Sequence, residues 1–206
     1  MKKGTVLVVW LASGLTISEK AYAQLAIREP QIGVSGGATV PTGDFKDDTG
    51  IGWNAGGLLK VRVWKSFDLR LDGLYSKLGS RNLEFANATV DSESNLSVAS
   101  LLVELNLGPD SAQYPGDNSV SPYINAGPAW YRYKFEGVCT GGCTGFEQEG
   151  EETKIGFNAG FGANVPYRGF PLFAELRYHR FGTIYPVTQL SSTATLLTVS
   201  AGFKVR

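Results

Sequence analysis

Residues 53–75 read WNAGGLLKVRVWKSFDLRLDGLY, and this stretch decides the fold. Apolar and polar residues alternate along it, with Leu59 and Val61 set against Lys60 and Arg62. Alternation of period two is typical of β-strands, because successive side chains point to opposite faces. A soluble sheet keeps its charged face in water, whereas a membrane barrel turns its apolar face to lipid and its polar face inward. The alternation alone leaves both arrangements open.

The first 23 residues have the three parts of an export signal. Residues 1–3 begin with a basic segment, residues 6–12 are apolar, and Ala21-Tyr22-Ala23 matches the small-x-small pattern that signal peptidase reads. We therefore expect cleavage before Gln24 and a single domain over residues 24–206. The apolar run is too short for a membrane-spanning helix, which is the alternative interpretation.

The composition favours a strand-rich exported protein. The sequence contains 26 Gly, 11 Phe, 9 Tyr and 4 Trp but only one Met and one His, and its net charge is zero. We therefore expect no nucleic-acid partner, since such partners select a basic surface. After the signal no apolar run has the length of a spanning helix, so any crossing of a membrane would use strands.

Eight segments carry the period-two pattern and are predicted to be strands: 31–41, 51–64, 67–77, 97–107, 122–135, 155–166, 171–181 and 194–205. The connections at one end are predicted to be mostly long and polar: 42–50, 78–96, 136–154 and 182–193. Those at the other end are short, except for an extended turn over 108–121. Long loops at one end and short turns at the other are typical of outer-membrane barrels.

The faces of the second and third strands constrain the link between them. Arg62 and Asp68 share one face, so the link is expected to contain an odd number of residues, three rather than the pair 65–66. Two registers remain open, one that opposes Arg62 to Asp68 and one that opposes Lys60 to Asp72. Either register gives an ion pair on the polar face. In the fifth strand, Pro128 removes a backbone donor, and we expect a bulge or irregular pairing there.

The charges of the polar face are predicted to form one ion-pair network of both signs: Lys60, Arg62, Asp68, Arg70, Asp72, Glu104, Arg132, Glu175, Arg177 and Lys204. A soluble lipocalin-like barrel would place this face outside, around an apolar ligand pocket. The abundance of Gly, Ser and Asn on it instead suits a narrow interior, because eight strands leave room only for side chains. The apolar face carries aromatic residues near the strand ends, as a membrane girdle does: Trp53, Tyr75, Tyr131, Tyr133, Phe135, Tyr178 and Phe203.

Three stretches resemble a known family. Residues 34–45, VSGGATVPTGDF, are similar to the first strand and loop of the OmpA/OmpX-type eight-stranded outer-membrane β-barrels, and residues 122–127 and 175–178 to the fifth and seventh strands. The resemblance covers residues 24–206. It implies an all-β, closed, antiparallel up-and-down transmembrane barrel in the bacterial outer membrane, with its short turns in the periplasm. Such barrels usually end on an aromatic residue that the outer-membrane assembly machinery reads, whereas Phe203 lies three residues before the end.

Other reactive side chains are assigned structural roles. His179, the only histidine, is expected to point inward on strand parity, as a structural or pH-titrating residue rather than a catalytic one. Cys139 and Cys143 are predicted to form a disulfide at an exposed loop tip, because the protein is exported. The acidic run 147–152 is interpreted as a solvated loop, with cation bridging to lipopolysaccharide phosphates as the alternative. We expect no catalytic residue, metal site or cofactor.

The sequence therefore predicts a small integral outer-membrane barrel with a structural or surface-interaction role, a side-chain-filled lumen and long extracellular loops. Its partners would be membrane lipid and lipopolysaccharide, and we expect a monomer. An outer-membrane enzyme that modifies lipids and a periplasmic lipocalin-like carrier are the alternatives.

Overall fold

The structure is a computed structural model that describes residues 30–205 except 65, 86–87, 109–118, 142–146, 168–169 and 185–191. The predicted signal segment, with Ala21, Ala23 and Gln24, lies outside the described residues. Within the described part of the chain, no helix combines the length and apolar character needed to cross a membrane.

Eight strands form one closed antiparallel barrel in which each strand pairs with its neighbours in sequence and β1 pairs with β8. The bounds are β1 Gln31–Thr42, β2 Gly50–Trp64, β3 Phe67–Phe85, β4 Ala88–Asn106, β5 Ser121–Gly141, β6 Glu147–Tyr167, β7 Phe170–Ile184 and β8 Ser192–Val205. A four-residue helix, α1, covers Phe45–Asp48 between β1 and β2. The predicted closed, all-β, up-and-down barrel is confirmed. We call the end of the barrel that carries α1 the helix end and the opposite end the turn end.

Two of the predicted long loops are strands in the structure. β3 and β4 pair as far as Phe85 and Ala88, and β5 and β6 pair as far as Val138 and Glu147. The expected loops over 78–96 and 136–154 are therefore wrong, because mostly polar segments can pair as antiparallel strands without an apolar face to mark them. We call residues 80–85, 88–92, 132–141 and 147–154 the hairpin extension, since they continue past the barrel rim at the helix end.

Large apolar side chains cover the outside of the barrel in a belt below this extension. The belt is bracketed by aromatic residues along single strands, from Trp53 to Trp64 on β2 and from Tyr75 to Phe67 on β3. Between them, side chains such as Leu71 and Val103 are 51% and 53% exposed. A tilted strand needs about 9–11 residues to cross the hydrocarbon of a bilayer, which matches this height.

The barrel interior has two layers. Near the turn end it holds charged and amide side chains, and near the helix end it holds a buried apolar cluster. The cluster contains Phe45, Leu78, Leu96, Val98, Ala129, Tyr131, Tyr133, Phe135, Phe181, Ala194 and Leu196. The sequence predicted the first layer and not the second.

The β2–β3 hairpin has the first of the two expected registers. Arg62 opposes Asp68 and Trp64 opposes Phe67, with a β-bulge between Arg62 and Trp64. Lys60 opposes Arg70 rather than Asp72, so the second register is excluded. The predicted three-residue link is wrong: the bulge adds the odd residue inside β2, which restores the parity that a two-residue link would break.

β5 faces the opposite way from the prediction at its helix end. Tyr131, Tyr133 and Phe135 point inward and are buried, whereas Arg132 points outward. The register with β4 is the same on both sides of Pro128, although the ladder between Ser100–Ala129 and Val103–Ala126 lacks two pairs. The irregular pairing expected at the proline is therefore present without any shift of face.

Candidate functional site in the barrel interior

A single carboxylate on β7 joins the charged layer together. Glu175 accepts hydrogen bonds from Arg70 Nη1 at 2.6 Å, from the Tyr123 hydroxyl at 3.0 Å and from Asn125 Nδ2 at 2.8 Å. Arg177, two residues along the same strand, also donates to it. The strand alternation places Glu175 and Arg177 on the same inward face, and both are almost fully buried.

Two guanidinium groups connect this carboxylate to its neighbours on β3 and β4. Arg70 Nε donates to Asp72 Oδ1 at 2.7 Å, and Arg70 Nη1 lies 3.1 Å from Glu104 Oε2. Arg177 Nη2 donates to Asp72 Oδ2 at 2.6 Å. Each guanidinium therefore meets more than one carboxylate, which is the arrangement that buried charges require.

The network continues to the turn end through β2. Lys60 Nζ lies 2.8 Å from Asp68 Oδ2 and 2.9 Å from Glu104 Oε1. Arg62 Nε donates to Asp68 Oδ1 at 2.8 Å, and Asn106 Nδ2 donates to Asp68 Oδ2 at 2.9 Å. The chain of ion pairs thus links β2, β3, β4 and β7 across the lumen.

Lys204 on the closing strand β8 is held differently. Its side chain is almost fully buried, and its Nζ donates to Asn164 Oδ1 at 2.7 Å. Nζ also lies 5.0 Å from the Tyr123 ring centroid and 4.8 Å from that of Phe173, within the range of cation–π attraction. We call this residue and the ion pairs described above the ionic layer: Lys60, Arg62, Asp68, Arg70, Asp72, Glu104, Glu175, Arg177 and Lys204.

Hydroxyl and amide groups fill the level between the two layers. Thr39 and Ser76 share a hydrogen bond of 3.0 Å, and Asn54 Nδ2 donates to Thr39 Oγ1 at 3.2 Å. Ser200 donates to Asn54 Oδ1 at 3.0 Å. These contacts join β1, β2, β3 and β8, so the polar filling also fastens the barrel where β1 meets β8.

His179 lies inside the barrel at the border with the apolar cluster. Its Nε2 is 3.1 Å from Thr198 Oγ1 and its Nδ1 is 3.3 Å from the Tyr131 hydroxyl. The ring is fully buried, so it faces neither water nor the outer surface of the barrel.

Phe45 closes the helix end of the barrel. Its ring is fully buried and makes edge contacts with Tyr133 at 5.8 Å and Phe181 at 6.4 Å. Thr49 Oγ1 donates to the Phe45 carbonyl at 2.9 Å, and Gly43, with φ +62°, turns the chain into α1. The sequence prediction missed this contact, although a phenylalanine in the otherwise polar segment 42–50 was the available signal.

One predicted network residue lies elsewhere. Arg132 is 56% exposed on the outside of the barrel and binds Glu151 through two hydrogen bonds of 2.5 and 2.9 Å. These bonds lower the pKa of the Glu151 carboxyl, chiefly through the donation from Arg132. The assignment of Arg132 to the interior is therefore wrong. The side-chain contacts of Cys139 and Cys143 lie outside the described residues.

Comparison with known proteins finds similarity of fold. No family model matches the sequence, and no curated protein matches it. The crystal structure of Neisserial surface protein A superimposes with a TM-score of 0.59 at 14% identity, over 85% of this chain and 96% of that one. The crystal structure of a major outer membrane protein from Thermus thermophilus gives 0.54 at 12% identity, over 85% and 98%. The chain thus has the fold of the eight-stranded outer-membrane β-barrels, as its sequence predicts.

Proposed function

We propose that this chain is a small integral protein of the bacterial outer membrane, with a sealed lumen and a structural or surface-interaction role. The observation that carries the proposal is the reversed polarity of the barrel at belt height. There Leu69 and Leu71 are 43% and 51% exposed, while their neighbour Arg70 is 3% exposed. In a soluble barrel, both the exposed leucines and the buried arginine would lower stability. In a bilayer, lipid contact stabilises the leucines, and the ionic layer supplies carboxylates for the arginine.

The barrel carries no solute, because its interior is filled at three levels. The ionic layer, the hydroxyl and amide level and the apolar cluster follow one another from the turn end to Phe45. A cavity of about 20 Å³ beside Arg70 and Arg177 has room for about one water molecule. This filling supports a role for the barrel as an anchor, with function carried by its outside surface.

The helix end would face the cell exterior and the short turns the periplasm. The hairpin extension then stands above the membrane as the surface most available to partners. We also propose that the export signal is cleaved before Gln24 and that the outer-membrane assembly machinery inserts the barrel. The protein would be a monomer. A Cys139–Cys143 disulfide is a further part of the proposal, and two alkylated thiols in the untreated protein would contradict that part.

Lipid-modifying catalysis is the less favoured reading. The only histidine, His179, is buried inside the barrel against Thr198 and Tyr131, so it cannot meet a lipid ester at the outer face. We therefore propose a non-enzymatic role without a cofactor.

Matched arginine substitutions test the membrane placement. Leu101→Arg, at mid-belt, should lower the free energy of unfolding in lipid vesicles by about 2–4 kcal/mol, because a cation there meets hydrocarbon. Glu136→Arg, an outward position on the hairpin extension that opposes Glu93, is the control and should not lower it. Unfolding in urea, followed by heat-modifiable gel migration, gives both values. Equal effects of the two substitutions, or recovery of the wild-type protein in the soluble periplasmic fraction, would contradict the proposal.

A further inference from the structure

The lumen-facing side of β6 carries only glycine and asparagine along the middle of the strand. Side chains two residues apart share a face, so the inward positions from 156 to 164 are Gly156, Asn158, Gly160, Gly162 and Asn164. The ionic layer accordingly takes no member from β6. The space in front of this strand must therefore be filled by side chains that reach across from neighbouring strands, or by a bound molecule.

Aromatic side chains of the neighbouring strands cover two of the three inward glycines. A Cβ on Gly162 would lie 2.5 Å from the ring of Tyr123 on β5. A Cβ on Gly156 would lie 2.8 Å from the Cβ of Phe181 on β7. Gly160 lies between these two glycines, and the atoms nearest to a Cβ placed on it include no aromatic carbon. The space over Gly160 is therefore bordered differently from that over its neighbours.

Polar groups surround Gly160 instead. A Cβ on Gly160 would lie 3.1 Å from Asn125 Oδ1 and 3.2 Å from Arg177 Cβ. The register explains this, because Gly160 opposes Asn125 on β5 and Arg177 on β7, and Asn158 is the next inward residue of β6. Within the described part of the chain, three fully buried atoms of these side chains have no hydrogen-bond partner: Arg177 Nε, Asn125 Oδ1 and Asn158 Oδ1. Buried polar atoms without a partner cost free energy, so their convergence indicates a bound molecule.

The bonding capacity of these three atoms identifies the class of that molecule. Arg177 Nε is a donor, whereas the two amide oxygens are acceptors. Asn125 is fixed in this orientation because its Nδ2 donates to Glu175 at 2.8 Å, and Asn158 Nδ2 donates to Ser100 Oγ at 2.7 Å. The amide oxygens would repel an anion, and the guanidinium would repel a cation. A water molecule can accept from Nε and donate to both oxygens, and buried waters typically make about three such bonds.

We propose that the barrel binds one structural water molecule over Gly160. The water accepts a hydrogen bond from Arg177 Nε and donates to Asn125 Oδ1 and Asn158 Oδ1. It joins β6 to the ionic layer, because Arg177 belongs to that layer and Asn158 continues the contacts to Ser100 on β4. The ionic layer and the apolar cluster separate the site from the two ends of the barrel, so the water exchanges with solvent only when the barrel opens locally. The site depends on the closed barrel and not on its placement in a membrane.

Solution NMR of the folded protein in detergent micelles tests the site. The Arg177 Nε–Hε signal, assigned by its loss in Arg177→Lys, should show water cross-peaks of opposite sign in NOE and ROE spectra. That sign pattern distinguishes a long-lived bound water from proton exchange. Gly160→Ala fills the site and Asn158→Leu removes one acceptor, so both variants should lose the cross-peaks. Gly73→Ala adds the same methyl group on the outside of the barrel, where it meets no atom within 4 Å, and as the matched control it should retain them.

Absence of the cross-peaks from the folded wild-type protein would overturn the inference. Their persistence in both Gly160→Ala and Asn158→Leu would place the water elsewhere beside Arg177, which overturns the site; if Gly160→Ala does not fold, Asn158→Leu alone decides this point. Their loss in Gly73→Ala would show that they report the looseness of the whole barrel, which overturns the site as well. A shift of the Arg177 Nε–Hε signal that follows the chloride concentration at constant ionic strength would assign the site to an anion and contradict the proposed water.

Discussion

Replacing Glu175 with Gln removes one charge from the centre of the ionic layer and preserves the shape of the side chain. The layer then changes from five cations and four carboxylates to five cations and three. Gln can still accept one hydrogen bond through Oε1, but its amide nitrogen would point a second donor at Arg70 or Arg177. The substitution therefore tests electrostatics rather than packing.

The expected loss can be worked out from the contacts. Removing one partner of a buried ion pair costs about 3–5 kcal/mol, because the other charge stays desolvated. Arg70 keeps Asp72 at 2.7 Å and Glu104 at 3.1 Å, and Arg177 keeps Asp72 at 2.6 Å. The loss should thus fall at the lower end, about 3 kcal/mol. With m-values of about 1–3 kcal/mol/M, the urea midpoint should fall by roughly 1–3 M.

Urea unfolding in lipid vesicles, followed by tryptophan fluorescence, measures this change. Glu151→Gln makes the same chemical substitution on the water-exposed hairpin extension and should leave the midpoint unchanged, since exposed ion pairs contribute little. The double variant Glu175→Gln with Arg177→Gln restores the charge balance and should recover part of the lost stability. A midpoint shift of equal size at both glutamates, or no recovery in the double variant, would refute a role of the ionic layer in holding the barrel.

Two further substitutions test the helix-end closure and the barrel seam. Phe45→Ala should lower the free energy of unfolding by about 3 kcal/mol through the cavity it leaves. The variant should still form no channels in planar bilayers, because the ionic layer below continues to fill the lumen. Lys46→Ala is the control, and channel openings in Phe45→Ala would contradict the seal. Gly37→Ala places a Cβ 1.9 Å from the Val199 carbonyl oxygen and should impair closure of β1 on β8, whereas Gly73→Ala meets no atom within 4 Å. Heat-modifiable migration distinguishes the folded from the unfolded barrel, and equal folding of the two glycine variants would contradict the close approach.

The sequence predicted the fold because one physical rule, alternation of period two, acts on all eight strands. It also placed most of the ionic layer, since Lys60, Arg62 and Asp68 interrupt strongly apolar stretches where their face is unambiguous. The partners of those charges were harder to predict. Tyr123 and Asn164 look like ordinary strand residues, and only the registers from β5 through β6 and β7 to β8 bring them to Glu175 and Lys204.

The misplaced Arg132 has a physical cause that also marks the edge of the outer apolar belt. On β5 the outward face carries Ile124 and Trp130 and then changes to Arg132, while the inward face becomes apolar from Ala129 to Phe135. The apolar face of the strand therefore switches from outside to inside at Trp130, without any shift in register. A strand that leaves lipid for water needs this switch, because its outside must become polar where the interior supplies the only dry environment.

The same switch occurs on β4 and β7. On β4, Leu101 faces outward but Leu96 points inward, and on β7, Tyr178 faces outward but Phe181 points inward. Three strands thus mark one boundary, and it coincides with the aromatic edge of the belt. The sequence prediction kept the apolar face outside along the whole of each strand. On β5 it therefore assigned Tyr131, Tyr133 and Phe135 to the outside and Arg132 to the inside. Continuing the parity from Ile124 through Trp130 would have placed Arg132 correctly, on the outside of the barrel instead of inside it.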